Sequence, residues 1–86
     1  MRILSLESDP TAIDVAFTAD TFCVSLNDGR DLSIPLAWFP RLLHATPEQR
    51  AKWALIGGGE GLHWEALGED ISVAGLLAGR GDQTRR

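Results

Sequence analysis

Residues 28–42 read Asp28-Gly29-Arg30-Asp31-Leu32-Ser33-Ile34-Pro35-Leu36-Ala37-Trp38-Phe39-Pro40-Arg41-Leu42. Asp28-Gly29 is a hairpin signal, because glycine accepts the positive φ that a tight turn requires. Before it, Phe22, Val24 and Leu26 alternate with Cys23, Ser25 and Asn27. Earlier still, Ile13, Val15 and Phe17 alternate with Asp14, Ala16 and Thr18, and Ala19-Asp20 breaks the two runs. Each run has the period of a strand with one buried face. After the turn, Leu32 and Ile34 continue a third strand, and Pro35 ends it for lack of an amide proton. The reading is a three-stranded antiparallel meander whose apolar face needs cover from the second half of the chain.

That cover reads as helical. Leu36 to Phe39 suits a short helical turn, and Pro40 opens another with Leu42 and Leu43 facing inward. Thr46, Pro47 and Gln49 form a capping box with proline at the first helical position. The helix they start is expected to run through Ala51, Trp53, Ala54, Leu55 and Ile56, and to stop at Gly57-Gly58-Gly59. Leu62-His63-Trp64 reads as a short edge strand. Ser72 is placed to cap a last helix through Val73, Ala74, Leu76 and Leu77, ending at Gly79. The expected fold class is α+β, a three-stranded antiparallel β-meander packed against two or three short helices. A single compact domain is expected over 1–79, with a flexible tail over 80–86.

Eighty-six residues bound the chain to one small core, for which oligomerisation is a source of extra burial. A monomer or a homodimer is expected. The one cysteine, Cys23, rules out an intramolecular disulfide and suits a reducing compartment. No stretch is apolar and long enough to span a bilayer, and the acidic N-terminal residues do not form a signal-peptide core. A cytoplasmic protein is the expectation. The net charge of −4 argues against non-specific binding to a phosphate backbone. Glu60, Glu65, Glu69 and Asp70 follow one another with no lysine or arginine between them. The basic residues fall mostly in 41–52 and in the tail. An acidic side that meets a basic partner is therefore expected.

Several of these landmarks, in this order, resemble the small bacterial domain-of-unknown-function family numbered 2442. They are the Asp28-Gly29 hairpin, Ile34-Pro35-Leu36, Trp38-Phe39-Pro40-Arg41-Leu42 and Ala45-Thr46. Gly61, Leu62-His63-Trp64, Glu69-Asp70-Ile71 and Leu76-Leu77 follow. The resemblance spans most of residues 13–79. It implies a compact α+β fold. It also implies small stand-alone proteins, sometimes encoded beside another small gene in an arrangement resembling a toxin–antitoxin pair, some with an added helix-turn-helix domain. It carries no catalytic motif.

The residues themselves offer few reactive constellations. His63 and Glu65, two apart on a strand, share a face that Asp70 can approach, but no metal-ligand spacing accompanies them. Cys23 is a nucleophile only where a histidine meets it, and otherwise a small strand residue. Gly57 to Gly61 lacks the Lys-Ser/Thr of a phosphate loop and follows a helix rather than opening one. Glu69-Asp70 suits the N-terminus of the last helix. Trp38 beside Phe39 is the first choice for an interface anchor.

The function expected is thus a non-enzymatic, acidic binding module acting by protein–protein contact. The partner is a toxin-like or nucleic-acid-targeting protein, which makes this chain an antitoxin-like regulator. The alternative is a phage or mobile-element inhibitor of a CRISPR-effector subunit, an anti-CRISPR protein. A further alternative is a DNA-binding regulator using Arg41, Arg50 and Lys52 on one helix face. The contact residues are Trp38, Phe39, Glu60, His63, Glu65, Glu69 and Asp70. No catalytic residue, metal, cofactor, membrane contact or direct nucleic-acid contact is expected.

Overall fold

A computed structural model describes residues 10–79. Strands β1 (Ala12–Phe17), β2 (Thr21–Leu26) and β3 (Asp31–Pro35) form the meander in the order β1-β2-β3. Val15 pairs with Val24 and Val24 with Leu32; Phe17 pairs with Phe22 and Phe22 with Ile34. Those residues share the inner face. The hairpin at Gly29 (φ +93°) closes with Gly29 N–H on the Leu26 carbonyl at 3.1 Å. The Asp28 carboxylate accepts from the Arg30 amide and from Arg30 Nε, which holds its carboxyl below the usual value.

Ile13 departs from the simple alternation. The β1–β2 register shifts between Ala12 and Asp14, so Ala12 is 1% exposed and Ile13 58%. A bulge inserts one residue and moves its neighbour to the other face.

The second half corrects the helical expectation. A 3-10 turn (Leu36–Trp38) and α1 (Pro40–Leu43) stand where short helices were expected. The capping box is present: Gln49 N–H donates to Thr46 Oγ1 at 3.1 Å and Thr46 N–H to Gln49 Oε1 at 2.9 Å. Yet α2 is only Pro47–Arg50. Trp53–Ile56 is strand β4, which pairs with β5 (Gly61–Trp64), which pairs with β6 (Glu69–Ser72). The cover is thus a second three-stranded antiparallel sheet together with the short helices. Leu62-His63-Trp64 lies in its central strand rather than at an edge. Residues 53–56 are apolar throughout, so periodicity does not distinguish helix from strand there. Cross-strand pairs of Trp53 with Trp64 and Leu55 with Leu62 favour the strand. The glycines that were to stop a helix instead turn a hairpin, with φ of +58°, +71° and +106° at Gly57, Gly58 and Gly59.

The last helix, α3 (Val73–Leu77), starts as expected, with Gly75 N–H donating to Ser72 Oγ at 2.9 Å. Glu69 and Asp70 lie in β6, not in its first turn. The proposed tail, 80–86, lies outside the described residues. Both sheets and the helices share one core, with Phe22, Val24, Leu36, Leu42, Leu62 and Trp64 fully buried. Two backbone bonds tie the 57–60 turn to the rest: Ala12 N–H to the Gly59 carbonyl (2.8 Å) and Val73 N–H to the Glu60 carbonyl (2.9 Å). Among the described residues, no helix is long and apolar enough to cross a membrane.

Candidate functional site

Leu62 and Trp64 in β5 are fully buried, so the residue between them, His63, faces outward. The β5–β6 register sets His63 directly opposite Asp70, and the β4–β5 register sets Ala54 on its other side. His63 Nδ1 is hydrogen-bonded to Asp70 Oδ1. Its Nε2 lies 2.6 Å from Glu65 Oε1. Glu65 reaches back because the chain leaves β5 directly into a 3-10 turn, Glu65–Leu67, which Gly68 ends in the left-handed region at φ +63°.

Two carboxylates around one ring favour its charged form. The bond from Glu65, then that from Asp70, raise the His63 pKa above its usual value, against a smaller opposing effect of burial. In the imidazolium both nitrogens donate, one to each carboxylate. The trio then carries one net negative charge, and two once the ring loses its proton. Glu65 and Asp70 side chains are 93% and 68% exposed, so the charge faces solvent. The carboxylates take opposite sides of the ring and do not converge on a common point. Among the described residues, no group of three or more His, Cys, Asp or Glu is placed to hold a metal.

The other expected contact residues divide. Glu60 is exposed in the turn that leads into β5. Trp38 is half-buried on the 3-10 turn after β3, where it packs against the core. Phe39 is only 5% exposed and meets Phe22 edge-on at 5.9 Å, so it serves the core and not a contact surface. Glu69 is 7% exposed, opposite Trp64 on the inner face, with Arg41 Nη1 3.7 Å from its Oε1. Strand alternation explains the split: Asp70 points out, so Glu69 points in.

The basic alternative loses its helix face. Arg41 belongs to α1 and donates to the Gly68 carbonyl at 2.9 Å. Arg50 ends α2, and its Nε and Nη2 donate to the Leu42 and Leu43 carbonyls at 2.9 and 2.8 Å. Its guanidinium also sits 5.9 Å from the Phe17 ring centroid. Lys52 follows the end of α2. Cys23, between Ala16 and Ser33, lies on the outer face of the first sheet, whereas His63 lies on the second. Sequence reasoning missed Leu55 and Ile56, which the expected helix placed in its apolar side. They are 44% and 42% exposed on an edge strand. The signal available was the glycine-rich turn between two apolar runs, which is also a hairpin signal.

Fold and surface together define a small α+β domain of two antiparallel sheets with a carboxylate-clamped histidine on one outer face. The family model described as a protein of unknown function, DUF2442, matches residues 12–82, and the chain belongs to that family. A protein of unknown function from Rhodospirillum rubrum has a similar structure, with a TM-score of 0.78 and 29% identity over 91% of this chain and 96% of its own. An uncharacterized protein from Chromobacterium violaceum is similar at a TM-score of 0.74 and 28% identity, over 87% of this chain and 71% of its own. No curated protein matches the chain in sequence.

Proposed function

We infer that the protein is a non-enzymatic binding module that acts by protein–protein contact, with the outer face of the second sheet as its contact surface. The observation that carries this reading is the trio of His63 and Asp70, on the outer face of the second sheet, and Glu65, on the 3-10 turn that follows β5. Each ring nitrogen is engaged by a carboxylate, which suits a fixed charge pattern better than proton transfer to a substrate. Exposed carboxylates, one on a strand and one on the turn beside it, make a surface complementary to lysine and arginine. Proteins that grip nucleic acid carry such basic surfaces, so a toxin-like or nucleic-acid-targeting protein is the partner class, and the role is that of an antitoxin-like regulator in the cytoplasm.

The test is affinity capture of the tagged chain from its host, with charge reversal at Glu65 and Asp70 as the comparison. One stoichiometric basic partner, lost in the Glu65→Lys/Asp70→Lys variant while circular dichroism stays unchanged, is the expected result. Capture that survives the double reversal would remove the acidic face from the mechanism. A partner that is a CRISPR-effector subunit assigns the inhibitor role instead of the antitoxin one.

A further inference from the structure

We propose that the chain forms a two-fold dimer by pairing β4 with the β4 of a second copy, joining the two second sheets into one six-stranded sheet. Among the described residues, β4 is an edge strand whose only sheet neighbour is β5. Beyond the bonds within that sheet, the Trp53–Ile56 backbone makes one further backbone bond among the described residues, the Gly59 N–H to the Ile56 carbonyl that closes the turn. Alternate N–H and C=O groups of an edge strand point outward and call for a strand to pair with.

The four sheet edges are not alike. Edges are blunted by bulges, prolines and charges. β1 has its bulge between Ala12 and Asp14, β3 has Asp31 and Pro35, and β6 has Glu69 and Asp70. β4 has none of these: it reads Trp53-Ala54-Leu55-Ile56, with Leu55 and Ile56 exposed.

Charge and register identify the occupant as a second copy. A two-fold axis normal to the sheet sets residues of the same facing opposite one another. Centred on Leu55, antiparallel self-pairing puts Leu55 against its equivalent and Ala54 against Ile56 of the second copy, small against large. Lys52 then falls just beyond Ile56 of the second copy, beside the turn that carries Glu60. The Glu60 Oε1 stands 3.2 Å from where a Cβ on Gly57 would lie, so this carboxylate folds over the start of that turn. Lys52 precedes the strand and Glu60 follows it. The antiparallel arrangement therefore brings opposite charges together at both ends, and a parallel one sets like beside like. The two His63 trios come to lie on the same side of the joined sheet, about 16 Å apart, three strand spacings across and two residues along.

Sedimentation equilibrium of the full chain from about 1 µM to about 1 mM tests the pairing. The expected result is a monomer–dimer equilibrium within that range. Lys52→Glu and Glu60→Lys should each weaken it about tenfold or more, and the double variant should restore it, because the swap rebuilds both ion pairs. Leu55→Cys in a Cys23→Ser background should give an oxidised covalent dimer. A chain that stays monomeric throughout overturns the proposal, as does a dimer indifferent to both charge reversals or one that Leu55→Cys does not cross-link. Because the readout is self-association of the pure protein, its failure leaves the acidic-face reading standing.

Discussion

Trp64 Nε1 donates to the backbone carbonyl of Arg50 over 3.0 Å, which fastens the central strand of the second sheet to the end of α2. The ring is fully buried and meets Phe17 edge-on at 6.5 Å, so one side chain joins both sheets and the helical segment. Replacing it tests how far the two halves of the domain depend on each other. Trp64→Phe keeps much of the apolar surface but leaves the Arg50 carbonyl without this donor. The expected loss in urea unfolding is about 1–3 kcal/mol. Trp64→Ala should lose about 3–5 kcal/mol. Equal losses for the two variants would mean that the hydrogen bond accounts for the whole effect and the packing of the ring adds little.

Arg50 repays that connection from the other end of its side chain. Its Nε and Nη2 reach the Leu42 and Leu43 carbonyls, where the short α1 ends. Only a planar guanidinium spans two carbonyls in this way. Arg50→Lys keeps the charge and should still cost about 0.5–1.5 kcal/mol. Thermal unfolding of Arg50→Lys beside Lys52→Arg separates geometry from charge, since the second change should be neutral.

The titration of His63 has a definite sign. Its folded-state pKa is raised from 6.5 by the Glu65 and Asp70 bonds. The stabilisation they give is therefore fully present below the unfolded value and lost as pH rises through the folded one. His63→Gln should flatten that part of the stability–pH curve. An NMR titration should place the His63 midpoint above the ordinary value, with Glu65→Gln and Asp70→Asn each lowering it. A midpoint unmoved by either substitution would show that the ring is not held between the two carboxylates in solution.

Particular residues show why some of the fold is legible in the sequence and some is not. The meander is legible because Asp28-Gly29 fixes a turn and the flanking runs alternate cleanly. The caps at Thr46 and Ser72 are equally local, since each hydroxyl meets an amide three residues away. β4 is not legible. Four consecutive apolar residues carry no period, and what makes them a strand is β5, whose pairing is a tertiary matter. The same misreading hid the exposed edge. The His63 trio is partly legible: the two-residue spacing to Glu65 is visible, but the approach of Asp70 depends on the β5–β6 register. The burial of Glu69 is not legible, because no local signal says which of two adjacent acids turns inward.

The turn between β4 and β5 contains three glycines of unequal importance, and this yields the sharpest test of how the sheets are joined. At Gly58 (φ +71°) an added Cβ meets nothing within 4 Å, so alanine there suffers only the left-handed backbone, a cost of about 1–2 kcal/mol. At Gly59 (φ +106°) the same Cβ would stand 2.5 Å from the Ala12 carbonyl oxygen and 3.0 Å from the Thr11 Cβ. Those atoms belong to the chain that enters β1, and the Gly59 carbonyl accepts the Ala12 N–H. Relief of the clash must therefore move the first sheet relative to the second. Gly59→Ala should exceed Gly58→Ala in cost by about 1–3 kcal/mol, the added strain of a site that cannot relax locally. Hydrogen exchange is the discriminating measurement. In Gly59→Ala the Ala12 amide should lose protection, while the Phe22 and Val24 amides inside the first sheet keep theirs. Equal stability of the two variants, with Ala12 still protected, would show that the turn does not join the sheets through this contact.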